Sequence, residues 1–83
     1  MKTKRFYSSN KLYTPKSKST IYIDYSATKK QLEVEFMGGK AYHYFNVEPE
    51  VWEEYKNIVL SGGSSGEYVN FIIKPKYKYK EIT

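Results

Sequence analysis

Leu32-Glu33-Val34-Glu35-Phe36-Met37-Gly38-Gly39-Lys40-Ala41-Tyr42-His43-Tyr44-Phe45 is the stretch whose reading decides the fold. Leu32, Val34 and Phe36 alternate with two glutamates, the period-two pattern of a half-buried strand, and Lys40 to Phe45 make a second strand rich in β-favouring rings. The paired glycines between them mark a hairpin whose register has two readings. A two-residue loop at Gly38-Gly39 pairs Phe36 with Ala41 and sends His43 and Phe45 to the Leu32/Val34 face. A three-residue loop, with Gly39 left-handed in a bulge, pairs Phe36 with Lys40 and sets Tyr42 and Tyr44 beside Val34 and Leu32. The second is preferred because it leaves Tyr22, Asp24, Glu33, Glu35 and His43 on the open face, a mostly polar set. Phe45 then needs cover from the N-terminal arm or a partner chain.

Upstream, Ile21, Ile23 and Tyr25 alternate with Tyr22 and Asp24, a strand joined to Leu32 by the turn Ser26 to Lys30. Downstream, Pro49 suits the first position of a helix, acidic residues follow it, and Val47 can staple onto Trp52. Val51, Tyr55, Ile58 and Val59 fall on one stripe that can lie on the sheet. Ser61 to Gly66 breaks the helix. Tyr68 to Ile73 reads as a helical turn or a strand, and Lys76 to Lys80 alternates like an edge strand protected by its lysines. The expected fold is α+β: a three-stranded antiparallel β-meander with one amphipathic helix, Pro49 to Leu60, packed on a face and a C-terminal closing segment. Residues 1–18 read as a basic arm and 19–83 as a single domain.

Eighty-three residues leave room for one core. Fourteen Lys and Arg against nine Asp and Glu give a net charge of +5, unevenly spread. Lys2, Lys4, Arg5, Lys11, Lys16 and Lys18 stand in the arm without an acid, and Lys74, Lys76, Lys78 and Lys80 near the other end, while the middle is net acidic. If the ends meet they form one positive patch; otherwise they are two solubilising tails. The absence of cysteine excludes disulfides, thiolate nucleophiles, iron–sulfur clusters and cysteine zinc sites, and with one histidine no metal or cofactor is expected. No apolar run reaches the ~18 residues of a membrane span and Met1 to Phe6 lacks the apolar stretch of a signal peptide, so a cytoplasmic protein without membrane contact is expected. So small a core also admits a homodimer through Phe45, Tyr22 or the arm.

Ser19-Thr20, Tyr25, Leu32 to Phe36, Gly39, Tyr42-His43-Tyr44, Val47, Pro49, Ser64-Ser65-Gly66, Tyr68-Val69-Asn70, Ile73-Lys74 and Tyr77, in this order and spacing, resemble the KTSC domain. That module is named from the C-terminus of some lysyl-tRNA synthetases and also occurs free-standing in bacteria and phages. The resemblance covers about residues 19–78; the Gly62-Gly63 insertion and the basic arm depart from it. Attachment to a tRNA-handling enzyme implies RNA as a partner, by association.

Tyr77 and Tyr79, interleaved with Lys74, Lys76, Lys78 and Lys80, combine cations with stacking faces and give the strongest functional signal, against the plainer reading of a charged edge strand. Tyr22, expected on the open face, is a candidate stacker, although Asp24, Glu33 and Glu35 nearby repel phosphate. Tyr42 and Tyr44 are core in the preferred register and base platforms in the other. His43 is the only group suited to proton transfer near neutrality; with no nucleophile to pair with it, it reads as an outward ligand-contacting position, and no catalytic residue is expected. Ser64 and Ser65 offer hydroxyls and amides to an anion in what is otherwise a connector, and Asn70 either fixes a turn or touches ligand. The expected function is a non-enzymatic binding module for a phosphate-bearing partner, RNA or single-stranded nucleic acid first. The alternative is a phage-type accessory protein that sequesters a small nucleotide signal or blocks a host protein; a purely structural or dimerisation domain is a third.

Overall fold

The computed structural model describes residues 5, 6 and 10–83; Lys2, Lys4 and Tyr7 of the expected arm lie outside them. Five antiparallel strands lie in chain order: β1 (Leu12–Tyr13), β2 (Thr20–Ser26), β3 (Gln31–Phe36), β4 (Ala41–Tyr44) and β5 (Tyr79–Glu81). Between β4 and β5 run helix α1 (Pro49–Leu60), the short helix α2 (Ser65–Tyr68) and a π-helical segment, Val69–Ile73. The expected three-stranded meander is therefore the centre of a wider sheet. The segment read as an arm supplies edge strand β1, and the C-terminal segment supplies the other edge.

The β3–β4 register is the one that places the tyrosines inward: Val34 faces Tyr42 and Leu32 faces Tyr44. Phe36 N donates to Lys40 O (2.7 Å) and Gly39 N to Phe36 O (3.1 Å), with Gly38 at φ +95° and Gly39 at φ +90°, a conformation that costs glycine nothing. In β2 the expected alternation holds only from Tyr22 onward. An irregularity between Thr20 and Tyr22 displaces Ile21 and turns Thr20 to the helix side, where it is fully buried.

α1 begins with Pro49 as its first residue, as expected, and ends where Gly62 takes φ +89° and Gly63 N donates back to Ile58 O (2.7 Å). A side chain at Gly63 would meet Ile58 Cγ2 at 2.6 Å, so the inserted glycines make a compact helix stop. The core lies between the sheet and these helices and holds Ile23, Tyr25, Leu32, Val34, Tyr44, Val47, Trp52, Tyr55, Tyr68, Val69 and Ile73. Tyr25 stacks on Trp52 (5.6 Å, 9°) and donates to Val47 O (2.6 Å), so one ring ties sheet, loop and helix together.

The other face of the sheet is not open. Tyr22, Asp24, Glu33 and His43 are all buried, two of them with no solvent exposure at all. Arg5 and Phe6 lie over this face, Phe6 stacking on the His43 ring (4.3 Å, 16°). The expectation that Tyr22 and His43 stand exposed is corrected by this long-range cover, which leaves no periodicity in the local sequence.

Candidate functional site

Seven of the ten sequence-expected binding residues fall into three places. The first is a groove of about 440 Å³ on the helix side of the sheet, lined by Phe36, Met37, Lys40, Tyr42, Tyr44, Lys74 and Tyr79. β-Strand alternation puts Phe36, Tyr42 and Tyr79 on one face, with Tyr42 edge-on to both Phe36 and Tyr79 at 5.6 Å. The π-helical segment ends at Ile73, which places Lys74 above Phe36, its ammonium 4.9 Å from the ring centre. Tyr79 is 62% exposed. Flat rings and two cations thus share one concave surface. Lys74 and Tyr79 belong to the expected set; Lys40 is expected only as the first residue of the third strand, and the register that makes Tyr44 core leaves the neighbouring Tyr42 half-buried at the groove wall.

The rest of the C-terminal signal disperses. Lys76 lies in the turn before β5, and Tyr77 is half-buried against the core, its N bonded to Ile73 O (3.0 Å), so the expected edge strand starts only at Tyr79. Lys78 O accepts from the backbone N of the half-buried Phe45 (2.9 Å), and Lys80 pairs with His43 in the ladder, across the sheet from the groove.

The second place is a cleft of about 680 Å³ between the β1–β2 turn, the end of α1 and α2; Lys16, Lys18, Ser64, Ser65 and Asn70 all line it. A chain of buried hydroxyls links two of its lining residues, Thr14 and Ser65, to the core. Thr14 Oγ1 lies 2.7 Å from Thr20 Oγ1, Thr20 Oγ1 donates to Ser65 Oγ (2.9 Å), and Ser65 Oγ lies 2.7 Å from the Tyr55 hydroxyl. Ser65 is thereby a positioning residue, buried at the joint of sheet and helices, while Ser64 caps α2 by accepting from Glu67 N (3.1 Å). Asn70 is exposed at the rim. Gly66 packs closely at the same joint: a Cβ there would sit 2.1 Å from Ser19 Oγ, which would have to move. Cleft and groove meet at one backbone bond, Met37 N to Ser19 O (2.9 Å).

The third is the covered cluster of Tyr22, Glu33 and His43. Glu33 accepts from Tyr22 Oη (2.5 Å) through Oε2 and from Phe6 N (2.9 Å) through Oε1, and His43 Nε2 lies 2.7 Å from that same Oε1. Burial raises the Glu33 pKa, but the bonds from His43, Tyr22 and Phe6 outweigh it and hold the carboxyl below its ordinary value. Burial, then Glu33, pushes the Tyr22 hydroxyl well above its ordinary range. These groups satisfy one another and are closed to a base or a phosphate. Among the described residues no three His, Cys, Asp or Glu side chains are grouped to hold a metal, and no helix is long and apolar enough to cross a membrane.

Comparison with known proteins supplies the family. A KTSC domain protein of Yersinia pestis superposes with a TM-score of 0.63 over 81% of this chain and 89% of its own, at 26% identity. A protein of Tsukamurella paurometabola is 35% identical over 54 residues, 65% of this chain and 75% of that one. A lysine–tRNA ligase of Nostoc punctiforme is 31% identical over 72 residues, which span 87% of this chain but only 12% of the ligase. The KTSC domain family matches residues 16–77, the stretch that holds the centre of the sheet, α1 and the Ser65–Gly66 joint, and the chain belongs to that family.

Proposed function

We propose that the protein is a non-enzymatic binding module for RNA or single-stranded nucleic acid. The observation that carries this reading is the groove in which Phe36, Tyr42 and Tyr79 stand beside Lys40 and Lys74. Unpaired bases offer flat faces that stack on such rings, and cations at the rim meet the phosphates between them. A duplex hides its bases and gains only the charge contact. The partial match to a lysine–tRNA ligase is consistent with an RNA partner. The test is a titration of fluorescent single-stranded RNA, single-stranded DNA and duplex at low salt: single strands bind more tightly than duplex, and Tyr79→Ala weakens them. Absence of single-strand binding overturns the reading.

A second reading rests on the cleft, where Lys16, Lys18, Ser64 and Asn70 surround a volume suited to one small nucleotide. It predicts tight binding of a short nucleotide that is sensitive to Asn70→Ala and indifferent to Tyr79→Ala.

A further inference from the structure

The sheet face away from the helices carries three carboxylates, Asp24, Glu33 and Glu35, beside Tyr22 and His43, with Lys80 at its β5 edge and Lys11 over Tyr22. Among the described residues, Lys11 and Tyr13 lie against the Tyr22 ring, and the consecutive pair Arg5 and Phe6 covers Glu33, Glu35 and His43. Arg5 forms an ion pair with Glu35 and its Nη1 donates to Tyr22 Oη (3.4 Å). Phe6 donates its backbone N–H to Glu33 Oε1 (2.9 Å) and stacks on His43.

Each partner on the sheet selects a different attribute of the segment. The Glu35 carboxylate selects a guanidinium, the Glu33 carboxylate a backbone N–H, and the imidazole a flat ring. Glu33 and His43 stand opposite each other on the paired strands β3 and β4, so the receiving side is built into the sheet. The inserted side is not: the Arg5 side chain is 40% exposed, and five residues separate Phe6 from β1. The contacts therefore depend on an Arg-aromatic pair and its backbone, which any extended peptide of that sequence carries.

We propose that this face is a docking site for an extended peptide bearing an Arg-aromatic pair, held in this chain by its own Arg5-Phe6, and that a partner protein presenting the same pair competes for it. The proposal stands apart from the nucleic-acid reading, since the groove lies on the opposite face.

The experiment uses the full chain carrying Arg5→Ala and Phe6→Ala, and as probe a fluorescent peptide of the sequence of residues 1–9. The double variant binds the probe saturably. The unmodified chain binds it at least about tenfold more weakly, because its tethered segment competes at high effective concentration. A probe with alanines in place of Arg and Phe does not bind. A folded double variant that ignores the probe, or equal binding by both chains, overturns the proposal. If the double variant fails to fold, NMR on the unmodified protein decides: excess probe carrying a nitroxide spin label broadens the His43 ring signals, and unbroadened signals overturn it.

Discussion

His43 on β4 and Glu33 on β3 stand opposite each other in the hairpin, with His43 Nε2 2.7 Å from Glu33 Oε1 and their side chains 3% and 0% exposed. The carboxyl is held below its ordinary value of 4.5, burial being outweighed by the bonds from His43, Tyr22 and Phe6. A carboxyl lowered by folding stabilises the protein above its unfolded value and loses that contribution as pH falls through its folded value. Stability should therefore decline as the pH drops below about 4.5, and the decline should be shallower in Glu33→Gln, which cannot titrate there. Denaturant midpoints measured across the acid range check this; identical slopes in both proteins would remove Glu33 from the acid response.

Tyr44 tests the hairpin register. It is 2% exposed opposite Leu32, and burial, then Tyr42 and Tyr79, pushes its hydroxyl up to about 12. Tyr44→Ala should cost ~3 kcal/mol or more in chemical denaturation, as large aromatic truncations in cores do. Undiminished stability would contradict its place in the core.

The joint of β2 and α2 gives a sharper prediction, because the clash at Gly66 has one identified atom. A Cβ on residue 66 meets Ser19 Oγ at 2.1 Å, whereas the next neighbour, Ser19 Cβ, lies at an ordinary 3.4 Å. Gly66→Ala should cost about 1–3 kcal/mol despite the better helix propensity of alanine. Adding Ser19→Ala removes the obstructing oxygen and should recover most of that loss. Thermal melts of the two single variants and the double close the cycle; a double variant no more stable than Gly66→Ala would place the strain elsewhere.

Much of this architecture is legible in the sequence. Pro49 and the Ser61-Gly62-Gly63 stop fix α1, and keeping the polar residues of β2–β4 together selects the hairpin register, because both signals are local. What escapes is set by contacts between distant segments. A two-residue strand such as β1 has no periodicity to detect, and the irregularity at Ile21 shifts the phase of β2 without a glycine to announce it. Tyr22 and His43 read as open because their cover comes from Arg5 and Phe6, far away in the chain. The groove is similar: its Lys40 comes from the acidic middle, and it meets Lys74 and Tyr79 only through the fold.

The groove makes separable predictions for its rings and its cations. Stacking of a base on Tyr79 is worth about 1–3 kcal/mol and is nearly independent of salt, so Tyr79→Ala should weaken single-strand binding by a similar factor at every ionic strength. Lys40 and Lys74, by neutralising phosphates, release counterions. Changing both to Gln should flatten the plot of log affinity against log salt by roughly 0.7 for each phosphate no longer neutralised. Lys16 and Lys18 lie outside the groove, in the lining of the cleft. If the strand continues over the Ser19–Met37 junction, changing Lys16 and Lys18 to Gln flattens the slope further. Titration calorimetry at two salt concentrations on the unmodified protein and these three variants separates the ring and cation contributions. A slope unchanged by Lys40→Gln with Lys74→Gln, alongside abolished binding in Lys16→Gln with Lys18→Gln, would move the site from groove to cleft.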